Sequence, residues 1–143
     1  SGEPIFGPVS YSFNYHVSWP PPDDPRAVIS HKQVNWGTCD IRGAAAVPVL
    51  FDCAWEDGGA SDCVGPPLGD TRPFLDAGWR MCINRHEGGI NMLFMDWSVR
   101  KVGLKELWTL KWNKRFNTAN PWTKRGGTQP EDWPAWMRGF KDY

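Results

Sequence analysis

Apolar and polar residues alternate through Tyr11-Ser12-Phe13-Asn14-Tyr15-His16-Val17, the period-two pattern of a half-buried strand. The run Trp19-Pro20-Pro21-Pro22-Asp23-Asp24-Pro25 ends it as a rigid surface loop, since consecutive prolines neither extend a strand nor start a helix. A second strand is predicted over 47–54, apolar on both faces until Asp52, with Pro48 near its start where a missing N–H is tolerated. Farther on, Gly88-Gly89 marks a reversal, and Asp96 with Ser98 two residues later suits a tight turn. These turn signals predict a hairpin or the last part of a meander, with strands at about 79–85, 90–95 and 98–102.

The period then changes. Leu104, Leu107, Trp108, Trp112 and Phe116 fall on one face at helical spacing, with Lys105, Lys111, Lys114 and Arg115 largely outside it. A helix over 104–116 is predicted, stopped by Asn117 and Pro121. Residues 129–139 read as a short helix with early prolines, first-turn acids and a closing glycine. Trp133, Trp136, Met137 and Phe140 give it an apolar face that clamps the tail onto the domain or meets a neighbouring subunit. The predicted architecture is α+β, with a small antiparallel sheet of four to six strands packed against the C-terminal helix. Long loops rich in Pro, Gly and Trp join these elements. All 143 residues form one domain, and residues 117–143 wrap on it or on a neighbour.

Composition changes the picture at two points. Ten tryptophans, thirteen prolines and fifteen glycines imply ordered loops pinned by aromatic side chains. Zero net charge means no global field calls for nucleic acid or an anionic membrane. No apolar run approaches a membrane span and no signal-peptide pattern opens the chain, so the expectation is a soluble head or the soluble part of something longer.

Charge is unevenly distributed. From residue 99 onward there are ten bases against four acids, whereas 51–78 carries six acids against one base. Copies packed head to tail could match the two surfaces, with Trp108, Lys111, Trp112, Lys114, Arg115, Trp133 and Trp136 as candidate interface residues. Calcium could be held in the acidic loop, with Asp52, Asp57 and Asp62 as candidate ligands. The spacing is not that of an EF-hand, so a solvated loop is the simpler reading and no cofactor is expected. Cys39, Cys53, Cys63 and Cys82 contain no CxxC pair, and three pairings are open; Cys53 with Cys63 would close the acidic loop.

No nucleophile elbow, phosphate-binding glycine loop or metalloprotease motif is present. His86 and Asp96 invite a catalytic reading, but a strand over 90–95 puts them about 20 Å apart at ~3.3 Å per residue. They are therefore expected not to touch, and to serve their own turns.

The stretch Arg-His-x-Gly-Gly-x-Asn-x-Leu-Phe-x-Asp-x-x-Val, carrying His86, Gly88, Gly89, Asn91, Phe94 and Asp96, resembles a known signature. It is similar to the His-x9-Asp-Gly signature of type IV prepilin-like, or pseudopilin-like, proteins of planctomycete and lentisphaeral bacteria. With the tail, the resemblance covers 79–143. It implies a β-rich head carried on a long apolar N-terminal helix, which anchors the subunit in the membrane and then packs in a filament core. The chain begins without that helix, and Trp97 stands where the signature has Gly. Because a left-handed turn is costly for Trp, a type I turn, with or without a bulge, is expected there instead. The implied function is a non-enzymatic subunit, outside the cell or in the periplasm, whose partners are like subunits. The alternative is a secreted carbohydrate-binding module that holds a glycan on exposed tryptophans.

Overall fold

A computed structural model of the chain describes residues 11–17, 34–54, 57–69 and 79–143. The proline run after Trp19 and part of the acidic loop, including Glu56, Asp70 and Asp76, lie outside the described residues. Strands β1 (Tyr11–Asn14), β2 (Pro48–Asp52), β3 (Asp57–Gly58), β4 (Gly89–Phe94) and β5 (Val99–Gly103) form one sheet in the order β3-β1-β2-β4-β5. The pairs β1–β2, β2–β4 and β4–β5 are antiparallel, and the two-residue β3 adds to β1 in parallel. The antiparallel sheet expected from sequence is therefore present, with a short parallel strand that the pattern did not announce. Pro48 opens β2, and the β2–β4 register shifts between Pro48 and Leu50.

Residues 79–85 are not a strand. Their backbone groups are spent locally, Cys82 N–H donating to Trp79 O, Ile83 N–H to Met81 O and Arg85 N–H to Ile83 O. Chained tight turns leave no row of donors for a neighbouring strand.

The predicted 104–116 helix is also corrected. Only Lys105–Thr109 is helical, as a 3-10 turn, and Leu110 is already extended. The burial pattern survives: Leu104, Leu107, Trp108, Trp112 and Phe116 are all buried against the inner sheet face, which supplies Phe51, Ile90, Met92, Phe94 and Val102. What defeats the helix is competition for its backbone. Lys111 N–H donates to Ala46 O, Trp112 Nε1 donates to Leu107 O at 2.8 Å, and Asn120 Nδ2 donates to Trp108 O at 2.9 Å. Lys105 departs from its expected outward place. Its side chain is fully buried, with Nζ 2.6 Å from Asp142 Oδ1 and 5.2 Å from the centre of the Trp133 ring.

Tryptophans pin the loops, as composition implied. The Trp79 and Trp108 rings stack with centroids 3.8 Å apart, and both indole N–H groups donate to Val64 O, at 3.0 and 3.1 Å. Such an aromatic pair contributes about 0.5–1.5 kcal/mol beyond its burial. Trp136 Nε1 donates to Pro67 O at 2.9 Å, tying the tail to the same loop. The short helix expected over 129–139 is two 3-10 turns, Pro130–Asp132 and Ala135–Met137. Trp133 and Met137 are buried between them and the core, so the tail lies on its own domain.

Candidate functional site

The sheet has one face in the core and one outward, and the β4–β5 hairpin carries the signature residues across both. At the entrance to β4, Asn84 Oδ1 accepts from Gly88 N–H at 2.7 Å, and His86 N–H donates to Gly89 O at 3.1 Å. This folds the loop before β4 over the outer face and onto Asp52 of β2. Asp52 is only 2% exposed. Its Oδ2 accepts from Asn91 N–H at 2.8 Å and lies 3.0 Å from His86 Nε2, while Arg85 Nη1 is 3.7 Å from Oδ1. Asn91 Nδ2 is 3.1 Å from the same imidazole nitrogen. A buried carboxylate needs such partners, and here they join β2, the loop and β4. These contacts tie the loop before β4 to β2 and to β4, and the arrangement acts as a clasp.

At the other end of the hairpin, Asp96 Oδ1 accepts from Ser98 Oγ at 2.6 Å and Ser98 N–H at 3.0 Å. The Ser98 hydroxyl, and then its backbone N–H, hold the Asp96 carboxyl below the ordinary carboxylate range. His86 and Asp96 thus serve separate partners at separate ends. Trp97 N–H donates to Phe94 O and Phe94 N–H to Ser98 O, both at 2.9 Å. That is a three-residue loop of the type I plus bulge kind. The bulge position is Trp97 itself, at φ 68°, so the expectation that Trp would avoid the left-handed region is overturned. The two closing hydrogen bonds fix the loop length, and the loop length requires a left-handed third residue. Trp97 is 75% exposed.

The glycines of the signature have separate causes. Gly88 is at φ 82°, and a Cβ there would meet the Phe140 ring at 2.8 Å. A Cβ on Gly89 would sit 2.7 Å from Val102 O, in the β4–β5 pair. Phe94, the remaining apolar member, is buried, with the Arg100 guanidinium 4.6 Å from its ring centre.

Between the two ends, the outward residues fall into register. Phe13 is directly opposite Leu50, Leu50 opposite Leu93, and Leu93 opposite Val99. Directly opposed residues share a face, so these four form one apolar row crossing β1, β2, β4 and β5. Leu50 and Leu93 are half-buried, whereas Phe13 and Val99 are 61% and 70% exposed. Neither the sequence periodicity nor the signature indicated this row, because it depends on the strand order. Asp52 did carry a signal that sequence reasoning missed: an acid inside an apolar strand demands a partner.

The other candidate residues are dispersed. Trp108, Trp112 and Trp133 are in the core and cannot meet a partner. Lys111 Nζ donates to Phe116 O at 2.6 Å, and Trp136 is half-buried. Lys114 and Arg115 are exposed. Asp62 Oδ2 accepts from Asn117 N–H at 2.7 Å, far in bonding terms from the Asp52 clasp, and the Asp57 side chain lies outside the described residues. Among the described residues no group of three His, Cys, Asp or Glu could hold a metal ion. No disulfide joins Cys53 to Cys63: Cys53 is buried in the core, and Cys63 is exposed with its thiol 3.6 Å from Asp62 Oδ1. Cys82 is buried, which pushes its thiol pKa well above the ordinary value. Among the described residues no helix is long and apolar enough to cross a membrane.

Comparison of the chain with protein-family models, curated proteins and solved structures gives no match.

Proposed function

We propose that this chain is the pilin-like head of a non-enzymatic structural subunit, built into a type IV pilus-like filament or a type II secretion pseudopilus at the cell surface or in the periplasm. The observation that carries the reading is the apolar row Phe13, Leu50, Leu93 and Val99 on the outward sheet face. Four strands at ~4.8 Å spacing give that row a length of about 14 Å, close to the rise of ten helical residues. It is a seat for an apolar helix laid across the strands. An apolar stripe left open on a soluble head is otherwise an aggregation liability. The tail packed on the hairpin and the two turns at its ends add support through the signature resemblance.

A carbohydrate-binding module would need several exposed indoles along a groove. Among the described residues Trp97 alone is strongly exposed, and Trp79, Trp108, Trp112 and Trp133 are buried. The test is assembly of the full-length gene product in its host. Phe13→Asp or Val99→Asp should abolish filament or pseudopilus assembly while circular dichroism of the head stays unchanged. Normal assembly of both charged variants would refute the reading.

A further inference from the structure

The β4–β5 hairpin has a knob at one end and a hole at the other. The knob is Trp97. Its left-handed backbone, at φ 68°, is strained for an L-residue and would not be for glycine. Its indole is 75% exposed, and among the described residues it has no hydrogen bond and no ring contact. Neither the stability nor the solubility of a single copy accounts for tryptophan at this position.

The hole lies beyond the opposite end of the hairpin, about 17 Å away by the rise of β4. It is a cavity of about 380 Å³ lined by Glu87, Gly88, Lys101, Phe140, Lys141 and Tyr143. Such a volume takes one indole with room to spare. Lys141 Nζ is already 4.7 Å from the centre of the Tyr143 ring, so the cavity combines cations with aromatic faces. Charge matches as well. Asp96, beside Trp97, is an exposed carboxylate on the knob, and the hole carries Lys101 and Lys141 against one acid, Glu87.

We propose that Trp97 of one copy inserts into the cavity between Lys101 and Phe140 of a second copy, with Asp96 facing Lys141. Knob and hole are different surfaces, so the contact is heterologous and repeats head to tail, and within a filament it repeats along the open assembly. This deepens the filament-subunit reading and rests on it, naming the contact that runs from one head to the next.

Two measurements test it. In sedimentation velocity over rising concentration, the chain should self-associate, and Trp97→Gly should weaken that association by about tenfold or more with no loss of thermal stability. In a Cys39→Ser, Cys63→Ser background, copies carrying Trp97→Cys should form disulfide heterodimers with copies carrying Lys141→Cys. Neither variant alone should form homodimers. A wild-type chain that stays monomeric, undiminished association of Trp97→Gly, or Trp97→Cys copies that link to each other would each overturn the contact. The filament reading fails on different variants, the row substitutions Phe13→Asp and Val99→Asp. A host that needs the row but assembles Trp97→Gly normally therefore rejects the knob and hole alone.

Discussion

His86 reaches from the loop before β4 to Asp52 on β2, Nε2 to Oδ2 at 3.0 Å, and Asn91 N–H donates to the same oxygen at 2.8 Å. One buried carboxylate thus fixes where the loop lies and how β4 sits beside β2. Removing it takes one partner from each of three groups, Asn91 N–H, His86 and Arg85. Asp52→Ala is expected to destabilise the fold by about 2–3 kcal/mol in urea unfolding, and His86→Ala by about 1–2 kcal/mol. If the two losses simply added in the double variant, the clasp would not be a single unit.

Trp97 pays for its place in backbone strain. Glycine relieves the left-handed conformation but gains freedom in the unfolded chain, so Trp97→Gly should stabilise by roughly 0.5–1 kcal/mol. For a chain of this size that is a rise of about 2–4 °C in Tm by calorimetry. A lower Tm would mean that the exposed indole makes a stabilising contact within its own chain.

Gly88 combines a positive φ with the Phe140 ring 2.8 Å from any added Cβ. Gly88→Ala should therefore cost about 1–3 kcal/mol. Part of that cost is steric, so it should shrink when Phe140→Ala is present, as read by a double-mutant cycle in thermal melts.

Thiol reactivity separates the four cysteines. Cys39 and Cys63 are exposed, whereas Cys53 and Cys82 are buried and Cys82 is held as the neutral thiol. Native protein should alkylate at Cys39 and Cys63 within minutes, and at Cys53 and Cys82 only on unfolding, by peptide mass mapping. Protection of Cys63 in air-oxidised protein, lost on reduction, would indicate a disulfide after all.

Asp96 has its carboxyl held below its ordinary pKa by Ser98. A depressed folded-state value means that its stabilisation of the turn is complete above the unfolded value of about 3.9 and is lost as pH falls through the lower folded value. The Asp96 carboxyl should titrate below its ordinary midpoint by NMR, and Ser98→Ala should move that midpoint upward. An unmoved midpoint would exclude the hydroxyl as the cause.

The sequence by itself determined the local pieces. Alternation located β1, Pro48 the start of β2, and the Gly-Gly and Asp-x-Ser turns the ends of the hairpin, because each depends on neighbours only a few residues away. Helical spacing also picked out the buried set Leu104, Leu107, Trp108, Trp112 and Phe116. It did not determine their backbone, whose hydrogen bonds go to Ala46, to Asn120 and to their own indoles. Only the tertiary structure decided those partners, along with Lys105 inside the core, the Asp52–His86 clasp and the apolar row. Each joins residues far apart in the chain, and strand order and register set their meeting; no local pattern encodes either. The His86–Asp96 stretch was legible as a hairpin, and what its two ends face was not.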